Sequence, residues 1–158
     1  MMRLVELIDS DFDWMSGGLR PRIPELTLPP GGVDSLIVLN IIRRMVRRLD
    51  ERGFKGAWMA VVDNEVVGIC SYKSPPLQGS AEIGYGVAES RRGRGYATAA
   101  VASMIQTTRH RPDIRSLVAE TATDNNASRR VVEKNGFTLT GFRDDPDDGR
   151  QALWELVL

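Results

Sequence analysis

Ser90-Arg91-Arg92-Gly93-Arg94-Gly95-Tyr96-Ala97-Thr98 is the stretch on which the fold turns. An extended apolar segment, Ala81 to Ala88, runs into it. A small-residue helical segment, Tyr96 to about Arg109, runs out of it. Strand, glycine- and arginine-rich turn, helix is an arrangement that grips a phosphate diester. Glycines let backbone N–H groups approach, the helix N-terminus adds partial positive charge, and arginines neutralise the rest. The turn therefore points to a phosphorylated cofactor.

Upstream, Met2 to Ile8 reads as a short strand, and Asp11 to Gly32 as an irregular segment with four prolines. A structureless stretch of that length is often a lid or binding loop. Leu36 to Leu49 is a helix, with Val38, Ile41, Ile42, Met45, Val46 and Leu49 on one face and arginines opposite. Asp34 or Ser35 caps it and Gly53 and Gly56 end it. Ala57 to Val62 and Val66 to Tyr72 form a hairpin around Asp63-Asn64-Glu65.

Downstream, Ser116 to Ala122 is a strand, and Asp124-Asn125 caps a short helix through Lys134. Asn135-Gly136 suits a left-handed stop. Phe137 to Arg143 and Gln151 to Leu158 close the chain as an antiparallel pair across an acidic loop, Asp144 to Asp148. The order β, α, β, β, β, α, β, α, β, β predicts an α/β (α+β) mixed sheet with helices on both faces, in one domain over residues 1–158.

The 158 residues suffice for one buried core, and Lys+Arg balances Asp+Glu at 21 each. That balance argues against a protein that blankets nucleic acid. The single Cys70 excludes an internal disulfide and fits a reducing cytoplasm. The charged N-terminus does not read as a signal peptide, no stretch is apolar enough to span a bilayer, and no zinc spacing occurs. A cytoplasmic location, no membrane, no nucleic acid and no metal are the expectations. The stripe Arg43, Arg44, Arg47, Arg48 could dock an acidic partner, but Asp50 and Glu51 balance it as a solvated face.

Other phosphate-binding turns fit poorly. No Gly-x-x-x-x-Gly-Lys-Ser/Thr string exists, and the glycines come after the hairpin and one further strand rather than after the first strand, with the third glycine missing. A solvated turn that happens to carry arginines is the bland alternative.

Arg92-Gly93-Arg94-Gly95-Tyr96-Ala97 resembles Gln/Arg-x-x-Gly-x-Gly/Ala, the acyl-CoA pyrophosphate loop of the GNAT superfamily of N-acetyltransferases. Ile83-Gly84-Tyr85-Gly86-Val87 resembles that family's fourth strand. Asn125-Asn126-Ala127-Ser128 through Lys134-Asn135-Gly136-Phe137 resembles its C-terminal stretch, in wording nearest the branch that acetylates the N-terminal alanine of ribosomal proteins. The likeness covers residues 57–158 well and the first 56 only by element order.

The resemblance implies a mostly antiparallel twisted sheet with a splay between the fourth and fifth strands. It implies acetyl-CoA as cofactor, a small-molecule amine or a peptide N-terminus as acceptor, and a homodimer as an option. Gly93, Arg94, Gly95, Tyr96, Ala97 and Thr98 would offer amides to the diphosphate, Arg92 and Arg94 charge, and Arg91 a reach to a further phosphate. The Val87 N–H would polarise the thioester carbonyl, and Asn125 would hold the pantetheine arm.

Attack by an amine requires a neutral nitrogen. An α-amino group, pKa about 8, is near that state at neutral pH, whereas lysine, pKa about 10.4, is not. A general base is useful to both. Glu120, five residues before Asn125, and Glu82, opening the preceding strand, are the candidates; either could instead be a rim carboxylate holding an arginine. Many members carry a tyrosine as general acid where this chain has Val132. Ser128 takes the role, with Tyr85 and Tyr96 as alternatives, unless its hydroxyl only starts the helix. Trp14 and Met15 would cover the acceptor site or a dimer contact. Two other functions remain open here: an acyl-CoA-binding sensor without turnover, and a phosphate- or RNA-binding module.

Overall fold

A computed structural model describes residues 1–158. Its central hairpin shows how local chemistry sets the architecture. β2 (Ala57–Val62) and β3 (Glu65–Tyr72) are rich in β-branched residues, and β3 is almost wholly buried. Between them Asp63 and Asn64 both take positive φ, 50° and 62°, the geometry of a two-residue hairpin turn that matches strand twist. Glu65 therefore begins β3 rather than completing the turn.

β1 (Arg3–Glu6) pairs antiparallel with β2, and β4 (Ser80–Val87) with β3. The second half of the sheet is β5 (Ser116–Ala122), β6 (Thr138–Asp145) and β7 (Gly149–Val157), in the overall order β1-β2-β3-β4-β5-β7-β6. Only β4 and β5 run parallel. Their ladder stops after Ser80↔Ser116, Ala81↔Leu117 and Glu82↔Val118. Beyond Glu82 the two strands part, and the sheet opens between the fourth and fifth strands.

Helices cover both faces. α2 (Leu36–Glu51) starts where the Ser35 hydroxyl accepts the Val38 N–H at 3.3 Å and stops before Gly53, at φ 67°. Its Leu39 and Val46 join Met59, Val61, Val66 and Ile69 in one core. α3 (Tyr96–Thr108) and α4 (Asn126–Lys134) lie on the other face, where Val101, Met104, Val131 and Val132 pack with Ile83, Leu117 and Trp154. Buried polar groups there are paired: the Tyr72 and Thr108 hydroxyls bond each other, and the Trp154 indole N–H donates to Thr121. No helix is long and apolar enough to cross a membrane.

Two local expectations fail. The 11–32 segment is not structureless: it opens with α1 (Asp11–Met15), whose Phe12, Trp14 and Met15 are buried in the α2-side core. Trp14 and Met15 therefore fill that core and cover no open site. Buried Asp11 accepts a bidentate pair from Arg22, and Asp9 and Asp13 both meet Arg43, so ionic ties hold an element too short to stand alone. The acidic loop also contracts. β6 runs to Asp145 and β7 begins at Gly149, because the Asp145 carboxylate accepts the Asp147 and Asp148 N–H groups and closes a tight turn.

Candidate active site

The parting of β4 and β5 leaves backbone groups facing a gap. In the β3–β4 ladder, Lys73 donates to Glu82 and Ala88 donates to Val67. Antiparallel pairing alternates, so the intervening Val87 and Tyr85 turn their N–H and C=O groups away from β3, toward the side where β5 has left.

Past Val87 the chain makes one 3₁₀ turn, Glu89–Arg91, and enters the glycine turn. Gly93 and Gly95 sit at φ 76° and 77°, a region that L side chains rarely adopt, and a Cβ at either would meet nothing within 4 Å. The glycines thus serve the backbone path and leave open space above it. None of the N–H groups from Gly93 through Thr98 donates to a protein acceptor. Gly95 caps α3 in a left-handed conformation without any side-chain cap, so the helix's first turn of donors stays free. A cleft of ≈ 650 Å³ lies over this run, walled by Gly86 and Val87 of β4 on one side and by Asn125 with Ala127, Ser128 and Val131 of α4 on the other.

Arg92, Arg130 and Lys134 line the cleft and Arg94 stands beside it; none of the four forms an ion pair. Free amides at a helix N-terminus ringed by free cations fit an anionic group of diphosphate size. Arg130 and Lys134 went unassigned in the sequence. Their spacing of four on one helix was the available signal, since it sets both on one face.

Arg91 behaves differently from its neighbours. Its guanidinium grips Glu65 at the start of β3, Nε to Oε1 at 2.6 Å and Nη2 to Oε2 at 3.1 Å. The Glu65 carboxyl is held below its ordinary range, first by that hydrogen bond. Arg91 anchors the turn to the hairpin here, and the expected reach to a phosphate would require it to leave Glu65.

Asn125 is likewise engaged, its Oδ1 accepting the Ser128 N–H at 3.0 Å as the α4 cap, which leaves its side-chain NH₂ free. The Ser128 hydroxyl lies 2.8 Å from that of Tyr85, and the Tyr85 hydroxyl also donates to the Ser128 carbonyl at 3.2 Å. Burial pushes the Tyr85 phenol up, with the Ser128 bond opposing. In the sequence Tyr85 and Ser128 are separate candidates; the fold brings them together across 43 positions. Val132 is fully buried in the α3-side core and faces no solvent.

Both candidate bases lie on the α2-side face of the opened sheet. Leu117 and Ala119 enter the opposite core, so Glu120 points the other way; Ala81 and Ile83 do the same for Glu82. Neither carboxylate is isolated. Arg143 on β6 forks onto Glu120, Nη2 to Oε2 at 2.6 Å and Nε to Oε1 at 3.0 Å, and also meets Asp145 at 3.1 Å. Lys73 meets Glu82 at 2.9 Å, at the closed end of the gap. Glu120 stands two residues beyond the last β4–β5 pair, at the open part.

The family model described as an acetyltransferase (GNAT) domain matches residues 20–138. A ribosomal-protein-serine acetyltransferase of Escherichia coli is 33% identical over 94 residues, which make up 59% of this chain and 52% of that protein. The match thus spans about half the length of that curated relative. Among solved structures, a ribosomal-protein alpha-N-acetyltransferase in complex with coenzyme A aligns at TM-score 0.71 and 22% identity, over 99% of this chain and 94% of the other. An aminoglycoside acetyltransferase in complex with coenzyme A aligns at TM-score 0.71 and 18% identity, over 99% and 95%. A microcin self-immunity acetyltransferase in complex with acetyl-CoA and AMP aligns at TM-score 0.71 and 15% identity, over 99% and 92%. These structural likenesses carry the fold.

Proposed function

The chain belongs to the GNAT acetyltransferase family, and from that premise we propose that it transfers an acetyl group from acetyl-CoA to a primary amine by direct attack, both substrates being bound together. The observation that carries this reading is the run of unbonded amides from Gly93 to Thr98 beside four unpaired cations. Convergent donors at a helix N-terminus with cations around them are the arrangement that takes up an anion.

When bound, acetyl-CoA supplies a thioester carbonyl carbon that an amine can attack. The residues of this chain do the rest. The amides of Gly93, Arg94, Gly95, Tyr96, Ala97 and Thr98 hold the diphosphate, and Arg92 and Arg94 neutralise it; charge-assisted bonds of this type contribute about 1.5–3 kcal/mol each. Arg130 and Lys134 extend the cationic rim along α4. The Asn125 side-chain NH₂ is available to the pantetheine arm. The Val87 N–H, turned into the gap, donates to an oxygen gaining negative charge.

Glu120 accepts the amine proton. Its ion pair with Arg143 keeps the carboxylate in place, and an incoming ammonium replaces one of the two guanidinium contacts. Glu82, behind the last β4–β5 pair and held by Lys73, is the second candidate. The Ser128 hydroxyl returns a proton to the leaving sulfur, the Tyr85 hydroxyl swings its one proton from the Ser128 carbonyl to the Ser128 oxygen to restore it, and solvent reprotonates Tyr85. This couple stands where the buried Val132 offers no hydroxyl. The lone Cys70 is in keeping with a cytoplasmic setting.

Calorimetric titration with acetyl-CoA, followed by assay of free CoA thiol over a panel of amines and short peptides, tests the reading. Binding followed by amine-dependent thiol release is expected. Binding with no release on any amine would leave a sensor, and salt-sensitive RNA binding without acetyl-CoA binding would leave a nucleic-acid module.

A further inference from the structure

We propose that the acceptor is a primary amine carrying an aliphatic group, and that the groove between α2 and β4 receives that group; this rests on the acetyltransferase reading above. The groove is a cavity of ≈ 290 Å³ on the opposite side of β4 from the coenzyme cleft, and both are bordered by Tyr85 and Gly86. One wall is α2, which presents Val38, Ile41, Ile42 and Met45. The helix's apolar face is wider than the sheet beneath it covers: Ile41 is 55% exposed, while Leu39 and Val46 on the adjoining face are buried.

The floor consists of two cross-strand pairs, Ile69↔Gly86 and Ser71↔Gly84. Both β4 positions that face the groove are glycines. A Cβ on Gly86 would meet nothing within 4 Å, so its absence leaves space and relieves no clash. Any side chain longer than alanine there would occupy the groove.

Charge orients the occupant. Glu82, Gly84 and Gly86 alternate onto this face of β4, and Glu120 onto the same face of β5 across the gap. Lys73 lines the groove and already occupies Glu82, so an ammonium is drawn on toward Glu120 while its carbon chain lies against α2. Aliphatic groups there bury apolar surface on both partners. Asp34, Ser71 and Lys73 are the groove's polar side chains against seven apolar residues, so a polyol would leave most of its hydroxyls against Val38, Ile41, Ile42 and Met45 without partners. In the reaction the N–C bond forms as the acetyl C–S bond breaks, the amine proton goes to Glu120, and the thiolate sulfur takes a proton from Ser128.

Four probes test this on the full chain: isoamylamine against ethanolamine, and a short peptide beginning with Leu against the same peptide beginning with Ser. Within each pair the aliphatic member is expected to have kcat/KM about tenfold or more higher, the scale set by a few methylene groups in an apolar pocket. The pair with the larger kcat/KM tells a free amine from a peptide terminus. Ile41→Asp, at an exposed position, and Gly86→Val, which fills the groove, should each reduce the isoamylamine/ethanolamine ratio about tenfold. N-isoamylacetamide should bind the wild-type protein in calorimetry and fail to bind Ile41→Asp, a readout independent of turnover. Equal or reversed preference within both pairs, with acetyl-CoA still bound, would overturn the acceptor assignment alone. Absence of acetyl-CoA binding would overturn the acetyltransferase reading and this inference with it.

Discussion

Two arginine clusters look alike in the sequence and do opposite things in the fold. Arg43 and Arg47 of α2 close on Asp9, and Arg43 on Asp13 as well, at 2.7–2.9 Å. That cluster fastens α1 to α2. In the second, only Arg91 has a carboxylate; Arg92 and Arg94 have none, and the amides between and beyond them are unbonded. The density of arginine is similar in both. Charge left unpaired beside idle backbone donors is what sets the proposed coenzyme site apart from the scaffold cluster.

The comparison can be broken at several points. The largest effect belongs to Gly95→Glu, which sets a side chain at φ 77° and a negative charge into the turn. Acetyl-CoA affinity measured by calorimetry should fall by about a hundredfold or more, since like charges in contact cost several kcal/mol. Unchanged affinity would mean that the turn holds no phosphate.

Glu120→Gln should lower kcat by about a hundredfold while acetyl-CoA affinity stays within a factor of about two, the pattern of a lost base. If steady-state kinetics show instead that Glu82→Gln has this effect, the proton goes to the closed end of the gap.

The clusters themselves can be compared directly. Arg92→Ala and Arg94→Ala should each weaken acetyl-CoA binding about tenfold, and less so at high salt. Arg44→Ala and Arg48→Ala, on the solvent side of α2, should leave it unaltered. Equal losses in both clusters would remove the distinction.

Arg43→Ala should lower stability in urea unfolding by about 1 kcal/mol, because Asp9 and Asp13 are partly solvated. The Asp9 carboxyl lies well below the usual carboxylate range, mainly through its hydrogen bonds to Arg43 and then Arg47. Its folded value is depressed, so the contribution is fully present above about pH 4 and is lost as pH falls through the depressed value. Arg43→Ala should flatten that acid limb.

The smallest effect concerns Cys70. Burial pushes its thiol up to about 12, so it should resist a thiol reagent in native buffer and react in urea. Rapid native reaction would show that the α3-side core is open.

Much of this was legible because it is local. Glycines at positive φ, a strand running into a helix, and an asparagine capping α4 each announce themselves within a few residues. The family resemblance rests on the same short-range wording. What escaped reading depends on long-range pairing. Asp11 meets Arg22, Glu65 meets Arg91, and Glu120 meets Arg143, at separations of 11, 26 and 23 residues. No periodicity reports such pairs. Tyr85 and Ser128 meet only because β4 and the start of α4 border the same cleft. α1 leaves no such mark for a related reason: five residues lack the length for a periodic signal, and ionic ties stand in for propensity.

The most direct test follows the backbone amides of the turn by ¹⁵N-resolved NMR as coenzyme A is added. The account predicts that the resonances of Gly93, Arg94, Gly95, Tyr96, Ala97 and Thr98 move most, and downfield, as their N–H groups gain acceptors. If those signals stay in place while others shift, or none shift at saturating coenzyme, the turn is not the diphosphate site.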